Sequence, residues 1–282
     1  MRILTFDIED WYHLLEHRST RNEKQWQNYE PRVVQNTSNI LDFLAKYNQK
    51  ATFFVIGWIA EQNPQLVKMI ASAGHEIGIH SYGHQLIWQQ SQQEFRDDLI
   101  RNISIIEQQL GKKVYKYRAP GFSIKKNNVW AFELLAEAGI TTDASIFPAS
   151  RAHGGMPAFP YNHPCKVTCN GITLNEFPVN YVNLARLRTV FTGGGYFRFW
   201  PYSFIKHQTD SSPYIMTYFH PRDFDFLQPR LADLGPYRRF RAYYGLQGSQ
   251  QKLERWITEF NFTDLQTAEN AFNWETADTV TL

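Results

Sequence analysis

The chain has 282 residues, of which 43% are hydrophobic, 20% charged and 16% aromatic; this describes a globular protein with ample core material and excludes a disordered or fibrous one. Lys and Arg number 29 against 27 Asp and Glu, a formal charge of +2 with no basic block, so neither nucleic acid nor a membrane surface is the expected partner. The longest apolar runs, at residues 51–56 and 214–219, are strand-sized and far short of the ~18–20 residues that cross a bilayer.

In chain order, the N-terminus turns acidic within seven residues and carries no apolar signal core, which leads us to expect a cytoplasmic protein. Residues 3–6 form a short apolar run that ends in Asp7, Glu9 and Asp10, the pattern of a buried strand delivering side chains to a site. Ile40, Leu41 and Leu44 follow at helical spacing, and residues 51–57 read as a buried strand closed by glycine. Residues 64–73 predict a helix stopped by Gly74, residues 75–80 a strand, and Phe95, Leu99, Ile103, Ile106 and Leu110 one face of a long helix ended by Gly111. A fourth strand is expected at 113–117, a helix at 129–138 and a fifth strand at 141–145. This βαβα alternation predicts parallel strands.

The regularity lapses at residues 146–171, which hold four of the 13 prolines, Gly154, Gly155 and both cysteines, and predict a long ordered excursion. Strands are expected again at 172–179 and 214–219, with a helix around 200–207 before the second. A Pro-, Arg- and Tyr-rich stretch then leads to a helix capped by Ser249, with Leu253, Trp256, Ile257 and Phe260 on one face. No linker or repeat divides the chain, so residues 1–282 are expected to form a single domain. Cys165 and Cys169 alone make no disulfide framework.

His80-Ser-Tyr-Gly-His84 places two imidazoles directly after a strand, where they can converge on one cation. Taken alone, such a pair is equally well read as two hydrogen-bonded loop histidines. A third ligand is available from Asp7, Glu9 or Asp10, because in a parallel α/β sheet or barrel the carboxyl ends of the strands share one face. Arg118 after the fourth strand and His220 after a late one collect there too.

Five motifs in order, Thr5-Phe-Asp-Ile-Glu-Asp-Trp11, Ala51-Thr-Phe-Phe-Val-Ile-Gly57, Glu76-Ile-Gly-Ile-His-Ser-Tyr-Gly-His84, Arg118-Ala-Pro-Gly-Phe122 and Tyr218-Phe-His-Pro-Arg222, resemble those of the polysaccharide deacetylases, the NodB-homology family (carbohydrate esterase family four). The resemblance covers about residues 1–222, with residues 223–282 as a C-terminal extension. Asn175-Glu-Phe-Pro178 and Gly193-Gly-Gly-Tyr-Phe-Arg198 are similar to a subgroup associated with bacterial exopolysaccharide and surface-glycan assembly.

The resemblance implies an α/β fold, a distorted (β/α)7–8 barrel with a loop-rich insertion and a C-terminal helical extension. It implies a divalent metal, commonly zinc, with cobalt, nickel and iron also suited to the ligand set, held by a carboxylate with His80 and His84. Strand alternation favours Glu9 as that carboxylate, whereas a turn beginning at Ile8 favours Asp10, whose shorter side chain matches the family's preference; Asp10 is taken narrowly ahead. By the same resemblance Asp7 is the general base, Arg118 its partner, the Gly121 N–H an oxyanion donor where the family more often has Tyr, and His220 the general acid. Asp143 either orients His220 or caps the loop after the fifth strand.

Trp11, Tyr82, Phe122 and Tyr196 are the candidate sugar-stacking residues. The glycine run at 193–195 with Arg198 is read equally as a sugar or phosphate contact and as a tight structural turn. The segment 237–244 is read as a solvated face rather than a contact for an anionic lipid-linked glycan. Cys165 and Cys169 with His153 and His163 are read as packing rather than a second zinc site. The implied function is removal of N-acetyl groups from an amino sugar in a glycan or lipid-linked precursor, with an N-acetylated glycan as partner. The competing readings are hydrolysis of another carbon–nitrogen bond, as in cyclic amides, and glycan binding without catalysis.

Overall fold

Strands rich in β-branched and aromatic residues set the frame, because such side chains pack well on a pleated surface that is covered on both faces. The computed structural model describes residues 1–15, 17–184 and 187–282. Its strands are β1 (Arg2–Ile3), β2 (Thr5–Ile8), β3 (Thr52–Val55), β4 (Glu76–Ile79), β5 (Lys116–Tyr117), β6 (Thr142–Asp143), β7 (Cys165–Cys169), β8 (Ile172–Glu176), β9 (Val182–Leu184), β10 (Leu187–Thr189), β11 (Ile215–Met216) and β12 (Thr279–Thr281). The helices are α1 (Glu23–Trp26), α2 (Val33–Lys46), α3 (Gly57–Gln62), α4 (Pro64–Ser72), α5 (Gln92–Leu110), α6 (Trp130–Glu137), α7 (Gly194–Phe199), α8 (Tyr202–Ser211), α9 (Pro236–Tyr243), α10 (Ser249–Glu259) and α11 (Leu265–Ala271).

The main sheet runs β12-β7-β8-β6-β5-β4-β3-β2, parallel at every step except between β7 and β8. β1 continues β2 across Leu4 and pairs in parallel with β11; the Asp7 N–H donates to the Phe219 carbonyl at 2.7 Å and the Phe219 N–H to that of Thr5 at 3.1 Å. Side chains bridge the remaining gap, with the Met216 N–H donating to Asn180 Oδ1 at 3.0 Å and the Tyr214 hydroxyl to the Pro178 carbonyl at 2.8 Å. The result is an α/β sheet curved into a distorted barrel.

The barrel interior explains one glycine. Asp7, Phe54 and Gly78 lie side by side in register across β2, β3 and β4. A Cβ on Gly78 would come within 2.6 Å of the Phe54 ring; its absence lets that ring lie 4.3 Å from the Arg118 guanidinium.

The opposite, amino-terminal end is closed by the C-terminal extension. Leu265 and Ala268 of α11 join Ile3, Phe54, Ala144, Phe177, Tyr214 and Met216 in one buried cluster. The Leu4 N–H donates to the Thr263 carbonyl at 2.9 Å, and the Thr263 N–H to the Arg2 carbonyl at 3.0 Å.

Several elements differ from expectation. The fourth strand shortens from its start to β5 and the fifth at both ends to β6. The excursion at 146–171 contains β7, which returns antiparallel onto β8 through Asn170-Gly171, both with positive φ (48° and 82°). β12, α9 and α11 were not foreseen. No helix among the described residues is long and apolar enough to cross a membrane.

Candidate active site

Four strand ends deliver the chemistry. Asp7 on β2 is 2% exposed, and its Oδ1 accepts from Arg118 Nη1 at 2.7 Å. The guanidinium is fixed in place, donating also to Thr5 Oγ1 at 2.7 Å and, through Nε, to the Ala144 carbonyl at 3.1 Å. A bond of this charge-assisted kind sets the carboxylate's orientation and leaves its second oxygen to face the cluster. Asp7 Oδ2 lies 4.0 Å from His220 Nε2.

Glu9 lies directly after β2. Its Oε1 lies 2.9 Å from His84 Nε2, 3.3 Å from His80 Nε2 and 3.5 Å from His220 Nε2. Burial alone would raise this carboxyl, yet the imidazoles of His84, His220 and His80 outweigh it and hold it well below the usual carboxylate range. One potential ligand atom each from Glu9, His80 and His84 lies within 4.8 Å of the others, and the same holds for Asp7, Glu9 and His220.

The donor chemistry of the first group fits a divalent cation. His80 Nδ1 lies 2.7 Å from the Arg118 carbonyl, which can only accept, so Nδ1 carries a proton. In the neutral form of that ring Nε2 would turn a lone pair toward the Glu9 carboxylate 3.3 Å away, a repulsion that a cation between them would relieve. Donation of the far ring N–H to a carbonyl is also how metal-bound histidines are commonly oriented.

The loop carrying the histidines is held from behind. Ser81 and His84 have φ of 64° and 50°, a region that L-residues occupy only when their surroundings enforce it. Asp98 on α5 supplies that enforcement, accepting from the backbone of Tyr82 and Gly83 at 2.9 and 2.8 Å and from Ser81 Oγ at 3.0 Å. Asp98 is a positioning residue that the reading of the sequence missed; its position beside Leu99 on the apolar side of α5 was the available signal.

Asp10 does not join the cluster. Its carboxylate accepts from the backbone N–H groups of Trp11 at 2.7 Å, Arg32 at 2.8 Å and Val33 at 2.9 Å, serving the open N-terminus of α2. The preference for Asp10 as metal ligand therefore gives way to Glu9.

His220 is oriented by Asp223, not Asp143. Its Nδ1 lies 3.0 Å from Asp223 Oδ2, which also accepts from the His220 N–H at 2.9 Å. Burial would lower this imidazole, but Glu9, Asp223 and Asp7 together bring it up to about 9. Asp143 instead accepts from the Ser145 N–H at 3.1 Å and Oγ at 2.5 Å and sits beside Glu176, where burial raises both carboxyls.

Gly121 adopts φ 59°, and a Cβ there would meet Leu15 at 2.7 Å and Leu86 at 3.0 Å. The tyrosine common in the resembled motif does not fit this conformation. Among the candidate sugar platforms, Trp11 and Phe122 are buried and Tyr82 is covered by Arg101 at 3.6 Å with its hydroxyl on Glu61. They pack the interior, and Tyr196 alone of the four is half-exposed.

A Cβ on Gly193 would fall 2.0 Å from the Tyr218 ring and one on Gly194 2.8 Å from Asp223, so these glycines admit the chain between the two. Arg198 is occupied by the carbonyls of Arg241, Ala242 and Tyr244, which makes this a structural turn. Cys165 and Cys169 are buried free thiols and belong to neither cluster of potential ligands.

Known proteins share both the sequence pattern and the fold. Residues 4–142 match the polysaccharide deacetylase family, and residues 144–270 match a domain of unknown function (DUF3473). A peptidoglycan-N-acetylglucosamine deacetylase of Bacillus cereus is 39% identical over 98 residues, 34% of this chain and 36% of that protein. A peptidoglycan deacetylase of Helicobacter pylori is 32% identical over 107 residues, 38% of this chain and 36% of that protein. The matched stretch thus spans about a third of each relative. The crystal structure of a candidate polysaccharide deacetylase from Mycobacterium smegmatis superposes with a TM-score of 0.68 at 20% identity, covering 99% of this chain and 92% of the other, a likeness of fold.

Proposed function

The chain belongs, through residues 4–142, to the polysaccharide deacetylase family, and on that footing we propose that it is a metal-dependent hydrolase removing N-acetyl groups from amino sugars in a bacterial polysaccharide or lipid-linked glycan precursor. The observation that carries this reading is the convergence of Asp7 with its Arg118 partner, the Glu9, His80 and His84 group, and the His220–Asp223 pair on one face of the barrel. Acid and base suit amide hydrolysis, since water must be deprotonated and the departing nitrogen protonated, and a cation site adds the means to polarise the carbonyl.

Glu9, His80 and His84 would hold the divalent cation, zinc being the proposed ion, which when bound supplies Lewis acidity for the amide carbonyl and its attacking water. Asp7 accepts the water's proton on the oxygen not bonded to Arg118. The Gly121 N–H is the proposed donor to the developing oxyanion. His220, kept protonated by its acidic surroundings, gives its Nε2 proton to the leaving amine. The subgroup resemblance supports a place in exopolysaccharide or surface-glycan assembly, and two free thiols are compatible with the reducing cytoplasm as its compartment.

Acetate release from N-acetylated oligosaccharides by native protein and by Asp7→Asn tests the assignment. A fall in kcat of about 10²–10⁴-fold with unchanged metal content is expected for loss of a general base. Full activity in the variant overturns the mechanism.

A further inference from the structure

Beside the metal-ligand candidates lies a cavity of about 650 Å³, with His84 in its wall. His13, Arg18, Arg21, Asn22 and Gln85 contribute further polar groups, and no Asp or Glu is among the described lining residues. Two arginines thus line one cavity in a chain whose formal total is only +2. Neither has an acidic partner among the described residues. A third cation, Lys125, sits 4.3 Å over the ring of Trp88, another wall residue.

The segment that presents the arginines is pre-organised. Gln25 grips it at both ends, accepting from the Arg21 N–H at 2.5 Å and donating to the Arg18 carbonyl at 2.6 Å. The Trp26 indole donates to the Thr20 carbonyl at 2.8 Å.

His13 supplies a second, independent observation. It is 2% exposed, and its Nδ1 accepts from the Asp10 N–H at 3.0 Å, which leaves the ring proton on Nε2. That Nε2 has no hydrogen-bond partner among the described residues. The wall of the cavity thus includes a residue whose buried ring donor is unsatisfied among the described residues.

We propose that this cavity receives the negatively charged group of an acidic glycan, a carboxylate or phosphate on a sugar adjoining the one deacetylated. Two guanidinium forks with no acidic partner among the described residues match the oxygens of either group, and their positive charge draws such a ligand toward the cavity that His84 lines. The inference rests on the deacetylase reading for the reaction, though not for the binding. The charge has two sources, a uronate within the polymer or the phosphate that links a precursor to its carrier.

Three probes separate these possibilities: neutral chitotetraose, a hyaluronan tetrasaccharide carrying carboxylates, and chitotetraose 1-phosphate. Calorimetric affinity and acetate release are measured for each, at low and high salt, with native protein and with Arg18→Gln/Arg21→Gln. The expected result is that one or both acidic probes bind at least about tenfold more tightly than chitotetraose, as one charge-assisted contact is worth, and that the double variant and high salt both erase the difference. Which acidic probe leads identifies the source. Equal affinities, no binding of any probe, or a preference that the double variant leaves intact overturns the proposal. Arginine-dependent binding of an acidic probe without acetate release from any substrate upholds the cavity and refutes the deacetylase reading instead.

Discussion

At the scale of single residues, Glu9 and Asp10 show how neighbouring carboxylates take unrelated work. Glu9 faces three imidazoles, while Asp10 faces three backbone N–H groups. Glu9→Gln should therefore lower metal affinity by at least about 10–100-fold, whereas Asp10→Ala should retain the metal and lose about 1–3 kcal/mol of stability, as read by elemental analysis and denaturant unfolding. Strand alternation in the sequence favoured Glu9, and side-chain length pointed to Asp10 instead; the open end of α2 that claims Asp10 lies 22 residues away and leaves no local trace. Asp223 was legible in principle, because a His-x-x-Asp turn brings the two side chains together. Its carboxylate stabilises the imidazolium, so Asp223→Asn should pull His220 down from about 9 and move the alkaline limb of the kcat–pH profile to lower pH. An unmoved limb would remove His220 as the acid.

At the scale of elements, the segments that could be read were those with one unambiguous period. β2, β3 and the long helix α5 were expected close to where they lie, because their apolar residues are consecutive in the strands and spaced by helical turns in α5. β7 was hidden by the prolines before it, although Asn170-Gly171 between alternating apolar residues is a recognised hairpin signal. α11 was unreadable for another reason: its docking depends on a charge buried elsewhere. Lys116 on β5 is 3% exposed and pairs with Glu269 of α11. Glu269→Ala strands that ammonium and should cost about 3–5 kcal/mol, measured by denaturant unfolding. The Asp143 and Glu176 carboxyls join β6 to β8 with folded-state pKa values raised by burial. The folded protein thus keeps protons that the unfolded chain releases above about pH 4, and stability falls as pH rises beyond that. Glu176→Gln should flatten this alkaline loss in thermal unfolding curves measured across pH.

At the scale of the whole molecule, the motifs that carry the chemistry end near residue 222, yet the barrel they form is completed by the C-terminal extension. Thr263 bonds to the backbone of Arg2 and Leu4, and α11 seals the end of the barrel opposite the site. The N-terminal motifs and the extension therefore share one barrel, which carries the Glu9, His80 and His84 group. Glu9, His80 and His84 are proposed to bind a divalent metal on which deacetylation depends. The most direct test is metal content and acetate release measured on the same samples of native protein and His80→Ala. One metal ion per native chain, lost together with acetate release in a variant whose circular dichroism remains native, is the predicted result. Acetate release that persists in the metal-free variant would contradict it.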